Sequence, residues 1–541
     1  MKRILLSITS FLVLFYCTII YAHDDNIIHP AITELSVSRS NIEQYLQNNL
    51  NFKNGLKTIF PSAGKYNVLQ LLKDGSTAED DISMCRASNH FLNSTKSWDA
   101  AGMSDSPWWI NTVCNSWSPY FSAVTWATGF TSPTGTPIPY DPGNYKSPNV
   151  WASARSLYNK ALTATTQASR ESYFAQTFVA IGQVMHLLQD MSVPSHVRND
   201  FQSHLIFNGY CANNTCSGNP IKWFGNPFEY YVKTHAGLVS QAASSPLSNP
   251  PQFTNPRLTD LWDTKNSGSS PLGLAQHTNT KYLSDSTIPN NQPSAIHTFP
   301  LPAINNTNTF ICDDYEPGST KKRKYFSRSA CTPAGAARTV DHFATPSLLN
   351  NDTDIIPANI TTLKLWLDDN VHKTYAGELL PLAIGYSSAV LDYFFRGKME
   401  VKCLPVIENN KILYVKLDIK NTTPDESMPA GKLMLTGKYT DGSNQEILVK
   451  ASFWTPDDDN LYDFYTVSNL DSGKTVEAVR FFFTEGNEIP LDKWDEIKLT
   501  LIYQGKLGNE EGAIVGKVFS PGKLKFNEEW NELVWQNRTV T

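Results

Sequence analysis

Apolar residues recur at helical spacing between Gln167 and Gln189, where Phe174, Phe178, Ile181, Met185 and Leu188 share one face. The pattern predicts a helix that ends close to Asp190, with Pro194 closing the region and turning the chain back. Residues 23 to about 240 read as mainly helical. Within them, Thr128 to Ser147 is rich in Gly, Pro, Thr and Tyr and reads as a long loop. From about 240 to 360 the periodicity dissolves into Asn, Pro and Ser clusters such as Asn249-Pro250-Pro251 and Asn290-Asn291-Gln292-Pro293. Leu379 to Phe395 is again helical. After Arg396-Gly397 the period shortens: Lys411–Ile419, Lys432–Tyr439, Gln445–Trp454, Ala478–Phe483 and Glu496–Tyr503 read as strands, with turns at Asp441-Gly442 and Glu485-Gly486. A mainly α, helical-bundle domain is therefore expected at 23–397, with a loop-rich insertion at about 240–360. A C-terminal β-sandwich follows at 398–541.

The opening residues change this picture first. Met1-Lys2-Arg3 precedes an apolar run that ends at Tyr21-Ala22, the pattern of a secretory signal peptide over residues 1–22, so a secreted or periplasmic mature chain beginning at His23 is expected. A length of 541 residues calls for more than one core, and 41% hydrophobic with 18% charged residues is a globular composition. Removal of the signal takes Lys2 and Arg3 and no acid, so the formal net charge moves from −6 to −8. Such a chain gains little long-range attraction to nucleic acid phosphate, and no stable nucleic acid partner is expected. Eight cysteines less Cys17 of the signal leave seven. Pairing of near neighbours would join Cys85 to Cys114, Cys211 to Cys216 and Cys312 to Cys331 and leave Cys403 over; alternatively some are buried thiols. The basic run Lys321-Lys322-Arg323-Lys324 reads as a solvated hairpin tip, or else as a contact for anionic headgroups.

The chemistry concentrates in His186-Leu187-Leu188-Gln189-Asp190-Met191-Ser192-Val193-Pro194-Ser195-His196. A His and an Asp four apart lie on one helical face and can grip one metal ion. With 11 His and 51 acids in the chain, about one such pair arises by chance, so the pair alone carries little. His196, six residues beyond Asp190 and just past the proline, can return a third donor to the same place.

These residues, on the Ala180-Ile181-Gly182 helix, resemble the zinc-dependent phospholipase C superfamily, which shares its fold with single-strand-specific zinc nucleases. That resemblance implies a helical bundle with three zinc ions in a cleft. It assigns Asp80 and His90 of the upstream segments Glu79-Asp80 and Asn89-His90-Phe91 to the metal site, with Glu79 or Asp81 as alternatives to Asp80. It assigns His29 near the mature N-terminus, together with the amine and carbonyl of the first residue, His23; the family usually has Trp there. The last zinc takes His196 and Glu229, whose Phe228-Glu229-Tyr230-Tyr231-Val232 context matches the family. The family's His four residues before that acid is replaced by Gly225, so His204 is expected instead, or else Asp200 or His235. The resemblance implies Asp190 as the bridging catalytic carboxylate and Asp80 as an assistant in proton removal. The substrate implied is a glycerophospholipid, cleaved to diacylglycerol and a phosphorylated headgroup. A nuclease or nucleotidase on the same fold, or a non-catalytic zinc-stabilised binding protein, are the alternatives. Trp98, Trp108, Trp109, Trp117 and Trp126 either rim the site or fill the core. A helical zinc domain before a β-sandwich resembles the layout of clostridial toxin members of the family, which implies contact with a membrane surface; the acidic loop Asp457-Asp458-Asp459 offers no convincing calcium motif.

Overall fold

Helices that reach the site owe their positions to caps and close packing. The computed structural model describes residues 27–535, apart from 82–83, 105–110, 113, 115–119, 145, 206–225, 266, 289–310, 316–317, 319, 321, 347–364, 456–459, 485, 523 and 528–531. The signal segment, His23, Cys211, Cys216, Trp108, Trp109, Trp117 and the Asp457–Asp459 loop lie outside those residues.

The helices that matter below are α1 (Ile28–Arg39), α2 (Val68–Asp81), α3 (Val150–Thr163), α4 (Gln167–Gln189), α5 (Phe201–Leu205), α6 (Pro227–Thr234) and α7 (Asp369–Phe394). Helix α4 starts at Thr166, whose hydroxyl accepts from the Ser169 amide, and Asp190 is its C-cap. The sequence suggests an amphipathic helix there; in the fold its C-terminal half is enclosed nearly all round, with Ile181, Val184, Met185, Leu187 and Leu188 inaccessible. Pro194 differs from expectation. It opens a one-turn helix, Pro194–Val197, and the reversal falls on the extended residue Val193. A proline suits a first helical position because its missing N–H would have no partner there anyway.

Helices α2 and α4 touch backbone to backbone. A Cβ on Gly75 would lie 2.1 Å from the Val179 carbonyl oxygen, and one on Gly182 would lie 2.2 Å from that of Leu72. No other residue type permits that approach without a shift.

The stretch from about 240 to 360, read from sequence as loop, contains strands. β1 (Ile311–Tyr315), β2 (Lys322–Cys331), β3 (Ala337–Pro346) and β4 (Leu365–Trp366) form a four-stranded antiparallel sheet. Its inner side chains, among them Tyr325, Phe326, Val340 and Phe343, share a core with Tyr375, Leu379 and Leu380 of α7. The basic run enters β2 beside the β1–β2 turn, with Lys322 exposed, but it is not solvated throughout: Arg323 is buried in β2 and pairs with Asp368 at 3.2 Å. The expected Cys312–Cys331 bridge is absent, because Cys331 is a free thiol, across from Ala337, whereas Cys312 lies across from Tyr325. Cys403 is free and buried, and Cys85 is bonded to Cys114.

Strands follow α7. They are β5 (Met399–Glu408), β6 (Lys411–Asn421), β7 (Gly431–Thr440), β8 (Glu446–Lys450), β9 (Ser452–Trp454), β10 (Leu461–Tyr462), β11 (Tyr465–Val467), β12 (Thr475–Phe482), β13 (Ile489–Pro490), β14 (Lys498–Leu507) and β15 (Glu510–Phe519). One antiparallel sheet has the order β10-β9-β12-β6-β13 with β5 beside β6; the other has β11-β7-β14-β15 with β8 beside β7. Val415, Leu417, Ile419 and Phe481 of the first sheet meet Leu433, Leu435, Leu499 and Leu501 of the second in one core. Alternation along these strands buries every second side chain, which is why the sandwich was readable in the sequence. The fold is thus a helical N-terminal part followed by C-terminal antiparallel sheets, as expected. No helix among the described residues is long and apolar enough to cross a membrane.

Candidate metal centre

Eight of the sequence-selected residues converge at the inner ends of α1, α2, α4, α5 and α6. His29, Asp80, His90, His186, Asp190, His196, His204 and Glu229 are all at most 4% exposed. They form three groups with ligand-type atoms in mutual reach: His29, His186 and Asp190; Asp80, His90 and His186; His196, His204 and Glu229.

Asp190 joins the first two groups. Its Oδ1 lies 3.5 Å from His29 Nε2, and its Oδ2 lies 3.3 Å from His186 Nε2 and 2.9 Å from His90 Nδ1. Asp80 faces the same cluster, with Oδ1 3.2 Å from His90 Nδ1 and Oδ2 3.4 Å from His186 Nε2. In the third group Glu229 Oε1 lies 3.3 Å from His196 Nε2, and Oε2 lies 3.6 Å from His204 Nδ1.

Local structure aims each group. The α2–α4 glycine contact lets His186 Nδ1 meet the Ser76 carbonyl at 2.6 Å, so Nε2 points at the carboxylates. Gln189 Oε1 holds His29 Nδ1 at 2.7 Å, and its amide nitrogen donates to Thr33. His196 Nδ1 is 3.2 Å from the His90 carbonyl, while the Leu92 amide donates to the His196 carbonyl, so the two segments are laced together. Glu229 sits in the first turn of α6, after the Asn226 cap and Pro227. Phe91 packs its ring 4.9 Å from His196 and 5.5 Å from His204.

Two features show that this set fits a cation. His186 Nε2, His196 Nε2, His204 Nδ1 and both oxygens of Asp190 are buried without a hydrogen-bond partner, although buried polar atoms are nearly always paired. Imidazole nitrogen with carboxylate oxygen is, moreover, the donor set that suits zinc and similar transition ions. The electrostatics agree. Burial pulls the His90 imidazole down, but Asp80, Asp190 and Glu79 outweigh it and push it up to about 10. Burial likewise opposes the charge on Asp190, yet His186 and His196 hold it well below the usual carboxylate range. His196 and His204, with less negative charge around them, are lowered by burial to about 4.

The alternatives separate cleanly. Glu79 joins none of the three groups: it pairs with Arg86 and Trp126 and meets only the outer nitrogen of His90, at 3.8 Å. Asp200 caps Ser203 and Ser286. His235 stacks on Tyr231 at 4.2 Å on the surface. Trp98 and Trp126 are core residues, bonded to Asp263 and Glu79, so neither forms a rim. The backing groups Gln189, Thr33 and Ser76 were not found from sequence; Gln189, one residue before Asp190, was the accessible signal.

Fold and site together define a two-part chain whose helical part carries three buried groups of His and carboxylate able to bind metal ions. No protein-family model matches the chain, and no curated protein does. Among solved structures it is similar to the alpha toxin from Clostridium absonum, at 12% identity over 96% of this chain and 100% of that one, with a TM-score of 0.27. It is also similar to Clostridium perfringens alpha-toxin isolated from an avian strain, at 13% identity over 96% and 98%, with a TM-score of 0.24.

Proposed function

We propose that the chain is a secreted zinc-dependent phosphoric diester hydrolase, a phospholipase C that releases diacylglycerol and a phosphorylated headgroup. The observation that carries this reading is that two metal-type groups share His186, with Asp190 of one reaching His90 of the other at 2.9 Å and a third group beside them. Clustered ions of this kind suit in-line displacement at phosphorus. The residues proposed to hold zinc are His29, Asp80, His90, His186, Asp190, His196, His204 and Glu229, with His23 added from the N-terminal segment. Zinc held there would supply acidified water and positive charge for the phosphoryl oxygens. Asp190 reaches both neighbouring groups and keeps them at fixed separation. Asp80, whose two oxygens face His90 and His186, stands where it can accept a proton from an attacking water.

Lipid is favoured over nucleic acid by the exposed apolar groups of the sheet containing β6. Leu404, Leu413, Leu461 and Tyr462 are four of the nine exposed large apolar side chains among the described residues, and all lie on this sheet. Tyr414 stacks on Phe482 at 4.6 Å and Arg480 lies over Trp454 at 5.7 Å in the same region. Apolar and aromatic groups edged by cations suit an anionic membrane surface. The Cys85–Cys114 bridge supports an oxidising, extracytoplasmic location.

The test is to incubate zinc-loaded mature protein with phosphatidylcholine vesicles and with single-stranded DNA, each with and without chelator. Chelator-sensitive release of phosphocholine is expected. Nucleotide release alone would transfer the assignment to a nuclease, and bound zinc without turnover would favour a binding protein. Asp190→Asn should abolish turnover with little unfolding; full activity in that variant would sink the assignment.

A further inference from the structure

Three histidines of the centre are backed by neutral acceptors on the ring nitrogen turned away from the carboxylates. Gln189 Oε1 backs His29 at 2.7 Å, the Ser76 carbonyl backs His186 at 2.6 Å, and the His90 carbonyl backs His196 at 3.2 Å. His90 is arranged differently. Its Nδ1 faces Asp80 and Asp190, and its Nε2 faces a third carboxylate, Glu79 Oε1, at 3.8 Å.

Glu79 is inaccessible to solvent and firmly held. Arg86 donates to it from Nε at 3.0 Å and from Nη2 at 2.6 Å, and the Trp126 indole donates to Oε1 at 2.8 Å. The guanidinium lies 5.1 Å from the centre of the Trp126 ring. Cys85, the residue before Arg86, is tied to Cys114 by the disulfide. A carboxylate has thus been buried, neutralised and aimed at one imidazole.

The chemistry gives this a purpose. A ring nitrogen that holds a metal ion carries no proton, so a neutral His90 engaged through Nδ1 carries its proton on Nε2. That proton points at Glu79, and a shift of under about one ångström closes the 3.8 Å gap to a hydrogen bond. A carboxylate behind a histidine fixes the ring and makes its other nitrogen a stronger donor.

We propose that Glu79, clamped by Arg86 and Trp126, is a positioning residue for the metal centre, accepting the hydrogen bond from His90 Nε2 and strengthening the group of Asp80, His90 and His186. The proposal rests on the zinc-site reading above and goes beyond it, since Glu79 touches neither metal nor substrate.

The experiment loads the full mature protein and Glu79→Gln with zinc, equilibrates both against graded chelator, and counts zinc per chain. Cobalt(II) absorption is recorded in parallel. In Glu79→Gln one zinc should leave with about 10–100-fold weaker affinity while the others follow the wild-type curve, and the cobalt bands should shift. Wild-type protein that retains no zinc would overturn the functional reading itself. Wild-type protein that retains zinc, with Glu79→Gln on the same curve and an unchanged cobalt spectrum, would overturn this proposal alone. Glutamine leaves the Arg86 guanidinium buried beside a neutral partner, so the pair variant Glu79→Gln/Arg86→Met removes both charges together. Its circular dichroism and melting show whether it folds; the same selective loss of one zinc is expected, and wild-type affinity in the folded pair variant would overturn the proposal.

Discussion

At the third group, the choice among His204, Asp200 and His235 turns on what each side chain already touches. Asp200 is occupied by the Ser203 and Ser286 amides, at 3.0 Å each. His235 is exposed and bonds the Tyr231 carbonyl at 2.9 Å. His204 is buried, and its Nδ1 has no hydrogen-bond partner and lies 3.6 Å from Glu229. His204→Ala should therefore lose one zinc per chain, whereas His235→Ala should keep its full zinc content. The latter should also change stability by no more than about 0.5 kcal/mol, as for an ordinary surface substitution. Zinc analysis and denaturant melts of both variants check this; a zinc loss in His235→Ala would reverse the assignment. Residue types and their order along the chain were enough to nominate these side chains. Direction was not legible: Glu79 and Asp80 are neighbours on α2, about 100° apart around the helix, so one meets Arg86 while the other meets His186. Only the packing of α2 against α4 decides which is which.

Between elements, the decisive contact is the glycine crossing of α2 and α4. It brings Asp80 and His186, from segments distant in sequence, to 3.4 Å. Gly182→Ala would place a Cβ 2.2 Å from the Leu72 carbonyl and force the helices apart. A loss of about 1–3 kcal/mol is expected from such overpacking. Zinc affinity should fall with it, because the Ser76 carbonyl would no longer orient His186. Chemical denaturation together with a zinc titration tests both effects; wild-type affinity in a destabilised variant would show that the crossing serves stability alone. Helix α4 and the strands of the sandwich were legible because their apolar spacing matches one period throughout. β2 and β3 were hidden for a physical reason. β2 buries Arg323 against Asp368 and buries Tyr325, Phe326 and Ser327 in succession, so its burial does not alternate and its charges mimic a loop.

Across the molecule, the helical part and the sandwich meet at a buried ionic joint. Glu510 at the start of β15 accepts from Arg155 of α3 through Nε and Nη2, both at 3.0 Å, and from Arg396 Nη1 at 2.6 Å. The Trp151 indole adds a bond at 2.7 Å, and the Arg155 guanidinium packs 4.0 Å from the centre of the Phe394 ring. Ile502 and Ile514 of the sandwich join the helical core beside it. Burial raises the Glu510 carboxyl, but Arg155 and Arg396 outweigh it and leave it below the ordinary value. A carboxyl lowered on folding binds fewer protons in the folded chain than in the unfolded one. Its stabilisation is therefore complete above the ordinary carboxylate range, near pH 4.3, and is lost as pH falls through the lower folded value. Glu510→Gln strands two guanidinium groups at the joint, and a loss of about 3–5 kcal/mol at neutral pH is expected. Melting curves of wild type and variant, taken from neutral pH down through the carboxylate range, should converge at the acid end. Parallel curves separated by a constant interval would show that the joint is held by Ile502, Ile514 and the aromatic packing, with the ions contributing nothing that protons can remove.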